Sequence, residues 1–259
     1  MRAVLFDVTK CVGCGSCSEA CREKNGLPET ASPDLNEHQF TILKTAKAKD
    51  GTDLNYRRMC MHCVDPTCAS VCPVGAIYKT ANGPVVYNAD ICLGCRYCMQ
   101  ACPFGIPKYE WTSLTPRVRK CTFCSDRLAA GKVNACAEAC PTGATLAGDR
   151  DELLKEAHAR LKAEPDTYVQ KVYGEHDAGG TSVLVISPID FAQLGLPGNL
   201  PEEPLPMLTY RVLSKIPAFV GVGSVTLAGL WWLTKRKAEV ANAEAPARFA
   251  EASGDGGQA

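Results

Sequence analysis

Short apolar runs separated by glycine turns and polar stretches dominate the first 148 residues and predict short strands. The runs Val4–Phe6 and Val86–Tyr87 each enter a cysteine-containing loop. Ile77–Lys79 and Val85–Tyr87 flank an Asn82-Gly83 pair, which is typical of a β-hairpin turn. Residues 22–58 are mixed and polar, with one possible strand at residues 40–43, and we interpret them as a surface loop that covers a cofactor.

The pattern changes at Asp149, where a helical period begins. Asp149 and Glu152 have the spacing of a capping box, and Leu153, Leu154, Ala157 and Leu161 form an apolar helical face. Residues 168–173 and 182–186 read as strands on either side of a glycine turn. Residues 194–206 contain four prolines and predict an extended linker without a core of its own.

A long uncharged stretch near the carboxyl end predicts a single transmembrane helix. Residues 216–234 carry no charge, and nineteen helical residues span about 28 Å at ~1.5 Å per residue, close to the ~30 Å hydrocarbon core of a bilayer. Pro217 stands where a helix start tolerates proline, and Trp231 and Trp232 suit an interfacial belt. The alternative is a buried helix of a soluble protein.

Basic residues around this stretch predict its orientation. Lys235, Arg236, Lys237 and Arg248 follow the span, whereas only Arg211 and Lys215 precede it, which favours a cytoplasmic carboxyl terminus in the inner membrane and a periplasmic domain before the span. We therefore expect residues 1–148 to form the cofactor domain, 149–210 a partner-docking segment, 211–237 the span and 238–259 a disordered tail.

The net charge bears on nucleic-acid binding, and the amino terminus bears on export. The chain has 28 basic and 28 acidic residues, so no basic excess indicates a nucleic-acid partner. The amino terminus resembles no secretory leader, and we expect export, if it occurs, to depend on a partner's signal.

The chemistry of the chain lies in sixteen cysteines, which fall into four quartets. Residues 92–103 have the spacing C-x-x-C-x-x-C-x-x-x-C-P, which binds four-iron clusters. The quartets are Cys11, Cys14, Cys17 and Cys21; Cys60, Cys63, Cys68 and Cys72; Cys92, Cys95, Cys98 and Cys102; and Cys121, Cys124, Cys136 and Cys140. At four thiolates per cluster, they predict four [4Fe-4S] clusters.

The order of the quartets predicts an α+β fold of nested ferredoxin-like modules, followed by the C-terminal transmembrane helix. The hairpin between the second and third quartets holds these two in one module, and the first and fourth then form the other. The fourth cysteine of each such motif ligates the other cluster of its module. The expected ligand sets are Cys11, Cys14, Cys17 with Cys140; Cys121, Cys124, Cys136 with Cys21; Cys60, Cys63, Cys68 with Cys102; and Cys92, Cys95, Cys98 with Cys72.

The spacing of the cysteines is less compatible with two other roles, zinc binding and disulfide formation. Paired C-x-x-C motifs also make zinc sites, but a third cysteine two residues later has no use in such a site. Disulfides at this spacing would be strained. His62, Arg96, Lys108 and Lys120 lie near the quartets, and each either tunes a cluster or is an ordinary packed or solvated side chain.

Nothing in the sequence combines a nucleophile with a base, and no phosphate loop is evident, so we expect an electron carrier that catalyses nothing alone. Residues 60–68, 120–127 and 179–184 resemble the iron–sulfur (beta) subunit of membrane-bound molybdopterin oxidoreductases, formate dehydrogenase type, and the ferredoxin-type subunit of membrane-bound nickel–iron hydrogenase. The resemblance implies a large catalytic subunit, a membrane cytochrome b or quinone-reactive subunit and a surrounding lipid bilayer. The alternative of another class is a free-standing, membrane-tethered polyferredoxin.

Overall fold

The computed structural model describes residues 1–30, 32–48 and 50–253, and side chains as far as residue 244. The chain divides into two units, Met1–Met207 and Leu208–Ala259. The described strands are β1 Arg2–Asp7, β2 Thr41–Lys47, β3 Asp53–Met59, β4 Ile77–Lys79, β5 Val85–Tyr87, β6 Lys108–Tyr109, β7 Val118–Arg119, β8 Thr145–Asp149 and β9 Val183–Ile186. The described helices are α1 Ser16–Asn25, α2 Thr67–Ser70, α3 Tyr97–Ala101, α4 Ser125–Ala129, α5 Ala135–Glu138, α6 Arg150–Ala163, α7 Leu205–Leu213 and α8 Ile216–Ser253.

A three-stranded sheet in the order β8-β1-β9 organises the first unit. The central strand β1 is antiparallel to β8 and parallel to β9, and Leu5 lies opposite both Leu146 and Leu184. Val4 and Phe6 face the larger core, while Leu5 faces a second core under α6. Because β1 is covered on both faces, its apolar residues are continuous rather than alternating.

Helix α6 covers one face of this sheet, as its apolar period predicts. The Asp149 carboxylate caps the helix by accepting a hydrogen bond of 3.0 Å from the Asp151 N–H. Leu153 and Leu161 are buried against the sheet, and each contributes about 1.5–3 kcal/mol by leaving water.

The predicted strand at residues 168–173 is wrong. Only one bridge joins Tyr173 to β9 there, and the chain turns where the Lys171 N–H bonds the Val169 carbonyl at 2.7 Å. The apolar residues that suggested a strand are instead loop anchors, because Tyr168 packs into the core under α6 and Tyr173 into the larger core.

The hairpin β4–β5 has the predicted location, and its register sets Ile77 opposite Tyr87. Gly83 in its turn has φ +115°, and a Cβ at this position would lie 2.9 Å from the Arg2 carbonyl oxygen. Glycine is therefore required both by the backbone conformation and by close approach to β1.

The interpretation of residues 22–58 as a surface loop is wrong for their second half. Strands β2 and β3 form a hairpin that runs from the Thr41–Met59 pair to the Lys47–Asp53 pair. Phe40, Tyr56 and Met59 contribute to the larger core, so the hairpin is part of the domain.

Residues 149–207 are not separate from the cofactor domain, because α6 and β9 belong to its sheet layers. The prediction of an extended linker without core contacts at residues 194–206 is wrong for the start of this segment. Leu194 and Leu196 are buried in the larger core of the first unit.

The second unit is helical. Among the described residues one candidate membrane span, judged by length and composition, runs from Leu205 at the end of the first unit to Glu244 in the second. Apolar side chains along α8 such as Phe219, Val222 and Leu227 are exposed, as lipid-facing residues are. The helix continues to Ser253, whereas the sequence pattern predicts a disordered tail from residue 238. Alanine and glutamate favour helix in this stretch, and Glu239 lies within ion-pair distance of Lys235 and Arg236. Residues 254–259 lie outside the described residues.

Candidate iron–sulfur sites

All sixteen cysteines lie in the described part of the chain as free thiols. They occupy tight loops and the short helices that follow them. Between the first two cysteines of each motif, the left-handed backbone falls on glycine in the first and third motifs and on His62 and Phe123 in the second and fourth. In the first loop Gly13 and Gly15 have φ +73° and +80°, and α1 then carries Cys17 and Cys21 one turn apart. We describe the cysteines as four groups according to which thiols act on one another electrostatically.

The first group contains Cys11, Cys14, Cys17 and Cys140. Burial raises the pKa of the Cys11 thiol, and the charges of Cys17, Cys140 and Cys14 raise it further. Cys140 is distant from Cys11 in the sequence. The two are brought together because β8, which follows Cys140, pairs with β1, which precedes Cys11. Cys14 is exposed, so this group reaches the surface.

The second group contains Cys21, Cys121, Cys124 and Cys136. Burial raises the pKa of Cys21 to about 12, and the charges of Cys136 and Cys124 add to this. Burial also raises the pKa of Cys121 well above its ordinary value, and Cys21 is the largest charge acting on it. All four thiols are buried.

The third group contains Cys60, Cys63, Cys68 and Cys102. Burial raises the pKa of Cys68 to about 12, with further contributions from Cys60 and Cys102. Burial raises the pKa of Cys63 more strongly, and Cys60, Cys102 and Cys68 act in the same direction.

The fourth group contains Cys72, Cys92, Cys95 and Cys98. Burial raises the pKa of Cys98 to about 11, and Cys92, Cys95 and Cys72 raise it further. Burial also raises the pKa of Cys72, but backbone N–H donors outweigh this effect and lower it overall. One of these donors is the Ala76 N–H, 3.2 Å from the Cys72 sulfur.

Neighbouring groups either share a helix or contain thiols that act on one another electrostatically. The first and second groups share helix α1. The second group meets the third where Cys60 acts on Cys121, and the third meets the fourth where Cys98 acts on Cys68. The second group therefore adjoins the first and the third, and the third also adjoins the fourth.

The residues present suit iron–sulfur clusters. The donor set of each group is thiolate only, which is the ligation of a [4Fe-4S] cluster. Crowding buried thiols raises their pKa values, and a bound metal reverses this because coordination deprotonates a thiol outright. Backbone N–H groups aimed at sulfur, such as that of Phe123 at 3.3 Å from Cys121 Sγ, are the hydrogen bonds that stabilise cluster thiolates. Among the described residues, no three His, Cys, Asp or Glu side chains converge closely enough to hold a single metal ion.

His62 lies between the groups as a packed neutral side chain. Its Nδ1 accepts a hydrogen bond of 3.0 Å from the Val85 N–H, so the ring proton is on Nε2. Its ring centroid is 4.5 Å from that of Phe123. Burial lowers the pKa of His62 well below its ordinary value, and the charges of Lys120 and Lys79 lower it further.

The three basic candidates have different environments. Lys120 is buried between the second and third groups, where its ammonium donates to the Cys121 carbonyl at 3.1 Å and to the Val85 carbonyl. Arg96 lies at the surface over the Trp111 ring, 5.1 Å from its centroid. Lys108 is half-buried in the two-residue strand β6.

Sequence reasoning missed Arg57, which is 6% exposed on β3. The charged thiolates of Cys136, Cys17 and Cys121 all act on it. One pattern in the sequence indicates the hairpin that carries Arg57. Asp50-Gly51 is a typical hairpin turn pair, and the alternating apolar residues Leu54 and Tyr56 follow it.

Comparison with known proteins gives the same chemistry. A family model described as a 4Fe-4S dicluster domain matches residues 54–150. The hydrogenase-2 operon protein HybA of Escherichia coli O157:H7 is 37% identical over 237 residues, which cover 75% of this chain and 72% of that protein. The formate dehydrogenase-O iron–sulfur subunit of Escherichia coli K12 is 35% identical over 251 residues, covering 88% and 81%. The nitrate-inducible formate dehydrogenase iron–sulfur subunit of the same organism is 36% identical over 200 residues, covering 71% and 67%. These likenesses extend over most of each chain, and the chain belongs to the family of iron–sulfur electron-transfer subunits of formate dehydrogenase-type and hydrogenase-type complexes.

Proposed function

We propose that each of the four cysteine groups holds one [4Fe-4S] cluster and that the chain relays electrons along them between a catalytic subunit and a membrane cytochrome b or other quinone-reactive subunit. The observation that carries this proposal is the adjacency of successive groups, in which the surface-reaching first group adjoins the fully buried second group and the partly buried third group follows. The clusters supply one-electron redox chemistry, and the protein holds them close together and out of water.

The pairing of motifs into two nested modules is part of this proposal. It is supported by the pairing of β1 with β8 and the packing of α1 against α5, which unite the first and fourth quartets. The hairpin β4–β5 and the packing of α2 against α3 support the module made of the second and third quartets. In each module one cysteine of each motif then ligates the partner motif's cluster.

The protein matrix excludes water from the second group and from Cys60 of the third. Cys60, Cys121, Cys124 and Cys136 are buried, and Phe104, Ile106 and Phe123 pack in the same core. Excluding water lowers the local dielectric constant and restricts side reactions, so electrons leave only through neighbouring clusters. The surface-reaching Cys14 suits exchange with another protein.

The catalytic partner we propose is a formate dehydrogenase-like molybdopterin subunit. The formate dehydrogenase-O relative supports it, since the match extends over 88% of this chain. A membrane-bound nickel–iron hydrogenase is the second candidate, because HybA has a similar identity. A free-standing membrane-tethered polyferredoxin is the alternative of another class.

We also propose that α8 anchors the chain once in the inner membrane with its carboxyl end in the cytoplasm and the cluster domain in the periplasm. Lys235, Arg236 and Lys237 directly follow the apolar stretch, and the positive-inside rule assigns that end to the cytoplasm. The catalytic subunit would then also lie on the periplasmic side.

Anaerobic purification of the tagged chain from detergent-solubilised membranes tests the proposed partner. Molybdenum or tungsten in a large co-purifying subunit supports the formate dehydrogenase-like assignment. Nickel assigns the chain to a hydrogenase instead. A stable, iron-loaded chain that never co-purifies with a large subunit, even after mild crosslinking in intact cells, contradicts the relay between subunits and favours the free carrier.

A further inference from the structure

Arg57 is a buried cation whose facing groups are cysteine thiols, Cys136 foremost among them. Its guanidinium nitrogens Nε, Nη1 and Nη2 have no hydrogen-bond partner among the described residues. The Phe6 ring is 5.4 Å from its Cζ and forms one wall of the site. Burying an unpaired guanidinium costs several kcal/mol, so a counter-charge must lie beside it.

The groups that face Arg57 are cysteines of two different cluster sites. Thiolates at Cys136 and Cys121 belong to the second group, and Cys17 belongs to the first. Arg57 in turn lowers the pKa of Cys21, another thiol of the second group, although burial dominates there and raises it. The guanidinium therefore stands at the junction of the first and second groups.

The hairpin β2–β3 explains how the residue reaches this position. Arg57 lies opposite Leu43 in the ladder and points inward with Met59, whereas its neighbour Arg58 points away and donates to the Gly195 carbonyl at 2.7 Å. Alternation along the strand therefore gives the two adjacent arginines different roles. The hairpin brings one positive charge to the two thiolate sites and ties the other to the backbone carbonyls of Gly195 and Phe104.

We propose that Arg57 is a positioning residue for electron transfer, which acts as the shared counter-charge of the first and second clusters and raises the reduction potentials of both. This inference rests on the proposed function. A thiolate-ligated cluster is an anion and becomes more negative on reduction, so a nearby buried cation stabilises the reduced form more than the oxidised form. The third and fourth clusters, which Arg57 does not face, keep their potentials.

The test is an anaerobic redox titration of the purified holo-complex, followed by electron paramagnetic resonance. In Arg57→Met, which keeps the apolar stem, two of the four one-electron steps should move to lower potential. We expect at least a tenfold change in the ratio of oxidised to reduced cluster at a fixed potential, or about 59 mV for a one-electron couple. Arg57→Lys, which keeps the charge, should restore most of the shift.

Lys47→Met is the matched control, because it removes a positive charge from an exposed site on the same hairpin. It should change the ratio less than twofold, since solvent screens exposed charges. The inference is overturned if Arg57→Met loads fully and no step moves, if all four steps move equally, or if Lys47→Met has the same effect.

Iron analysis covers the case in which Arg57→Met does not load. Loading of Arg57→Lys with wild-type potentials then supports a requirement for charge, whereas failure of both variants overturns it in favour of a packing role. The wild-type protein tests the proposed function separately. About sixteen irons and four redox steps uphold the four-cluster proposal whatever Arg57→Met does.

Discussion

The carboxylate of Asp7 anchors the start of the first cysteine loop to helix α6. Asp7 is the last residue of β1, four positions before Cys11, and its side chain is 1% exposed. Its Oδ1 accepts from the Thr9 N–H at 3.0 Å and from the Thr9 hydroxyl at 2.6 Å. Its Oδ2 accepts from Arg160 Nη1 at 2.9 Å and from the Tyr168 hydroxyl at 3.1 Å.

Asp7→Asn removes the charge and half of the acceptors without changing the volume. The amide oxygen can keep the two Thr9 bonds, but the NH₂ group then faces the donors of Arg160 and Tyr168. Breaking a buried ion pair from one side costs about 3–5 kcal/mol. Arg160 keeps Glu156 at 2.7 Å and is 16% exposed, so we expect the lower end, about 3 kcal/mol. For a chain of this size that corresponds to a fall in Tm of roughly 6–12 °C.

Anaerobic thermal unfolding of the holo-chain at one scan rate, followed by loss of cluster absorbance, measures this effect. Glu156→Gln is the control, because it removes the other partner of Arg160 at a position that is 48% exposed, and we expect it to cost less than about 1 kcal/mol. If Asp7→Asn melts within about 2 °C of the wild type, or no lower than Glu156→Gln, the reasoning about this buried pair is refuted.

Three further predictions concern pH, ligation and the membrane. Burial raises the pKa of Tyr173 and the charge of Asp177 adds to this, so the folded chain keeps a proton that the unfolded chain releases above pH ~10. The free energy of unfolding should therefore fall as pH rises beyond that value, and Tyr173→Phe should make the fall shallower in denaturant titrations at alkaline pH. Parallel curves for Tyr173→Phe and the wild type would contradict this. Cys121→Ala should lose about a quarter of the iron and one redox step, and unchanged iron in metal analysis would remove Cys121 from the ligands. A chain ending at Met207 should move from the membrane fraction to the soluble fraction, and persistent membrane association without partner subunits would show that α8 is not the anchor.

The features that the sequence predicts best are those set by local spacing. The Asn82-Gly83 pair predicts the β4–β5 hairpin because the turn needs a residue that accepts a positive φ, and Gly83 supplies it at +115°. Asp149 predicts the start of α6 for the same reason, since a cap bonds backbone groups two or three residues away. The cysteine quartets are recognisable because three of the four thiolates proposed for each cluster come from a single motif.

The features that the sequence does not predict depend on contacts between distant segments. Tyr168 and Tyr173 suggest a strand, but they anchor a loop into two different cores. The lysines of β2 give this strand the composition of a surface loop, so the sequence does not indicate the β2–β3 hairpin. Arginine is rarely buried, so no local pattern indicates that Arg57 lies inside while Arg58 does not.

The proposed relay requires that the sixteen cysteines hold four four-iron clusters in one chain. Iron and acid-labile sulfide, measured per chain in anaerobically purified protein alongside a redox titration, test it most directly. We expect about sixteen irons, about sixteen sulfides and four one-electron steps. A colourless protein with stoichiometric zinc and no labile sulfide, or a fully folded chain with about eight irons or fewer, would contradict it.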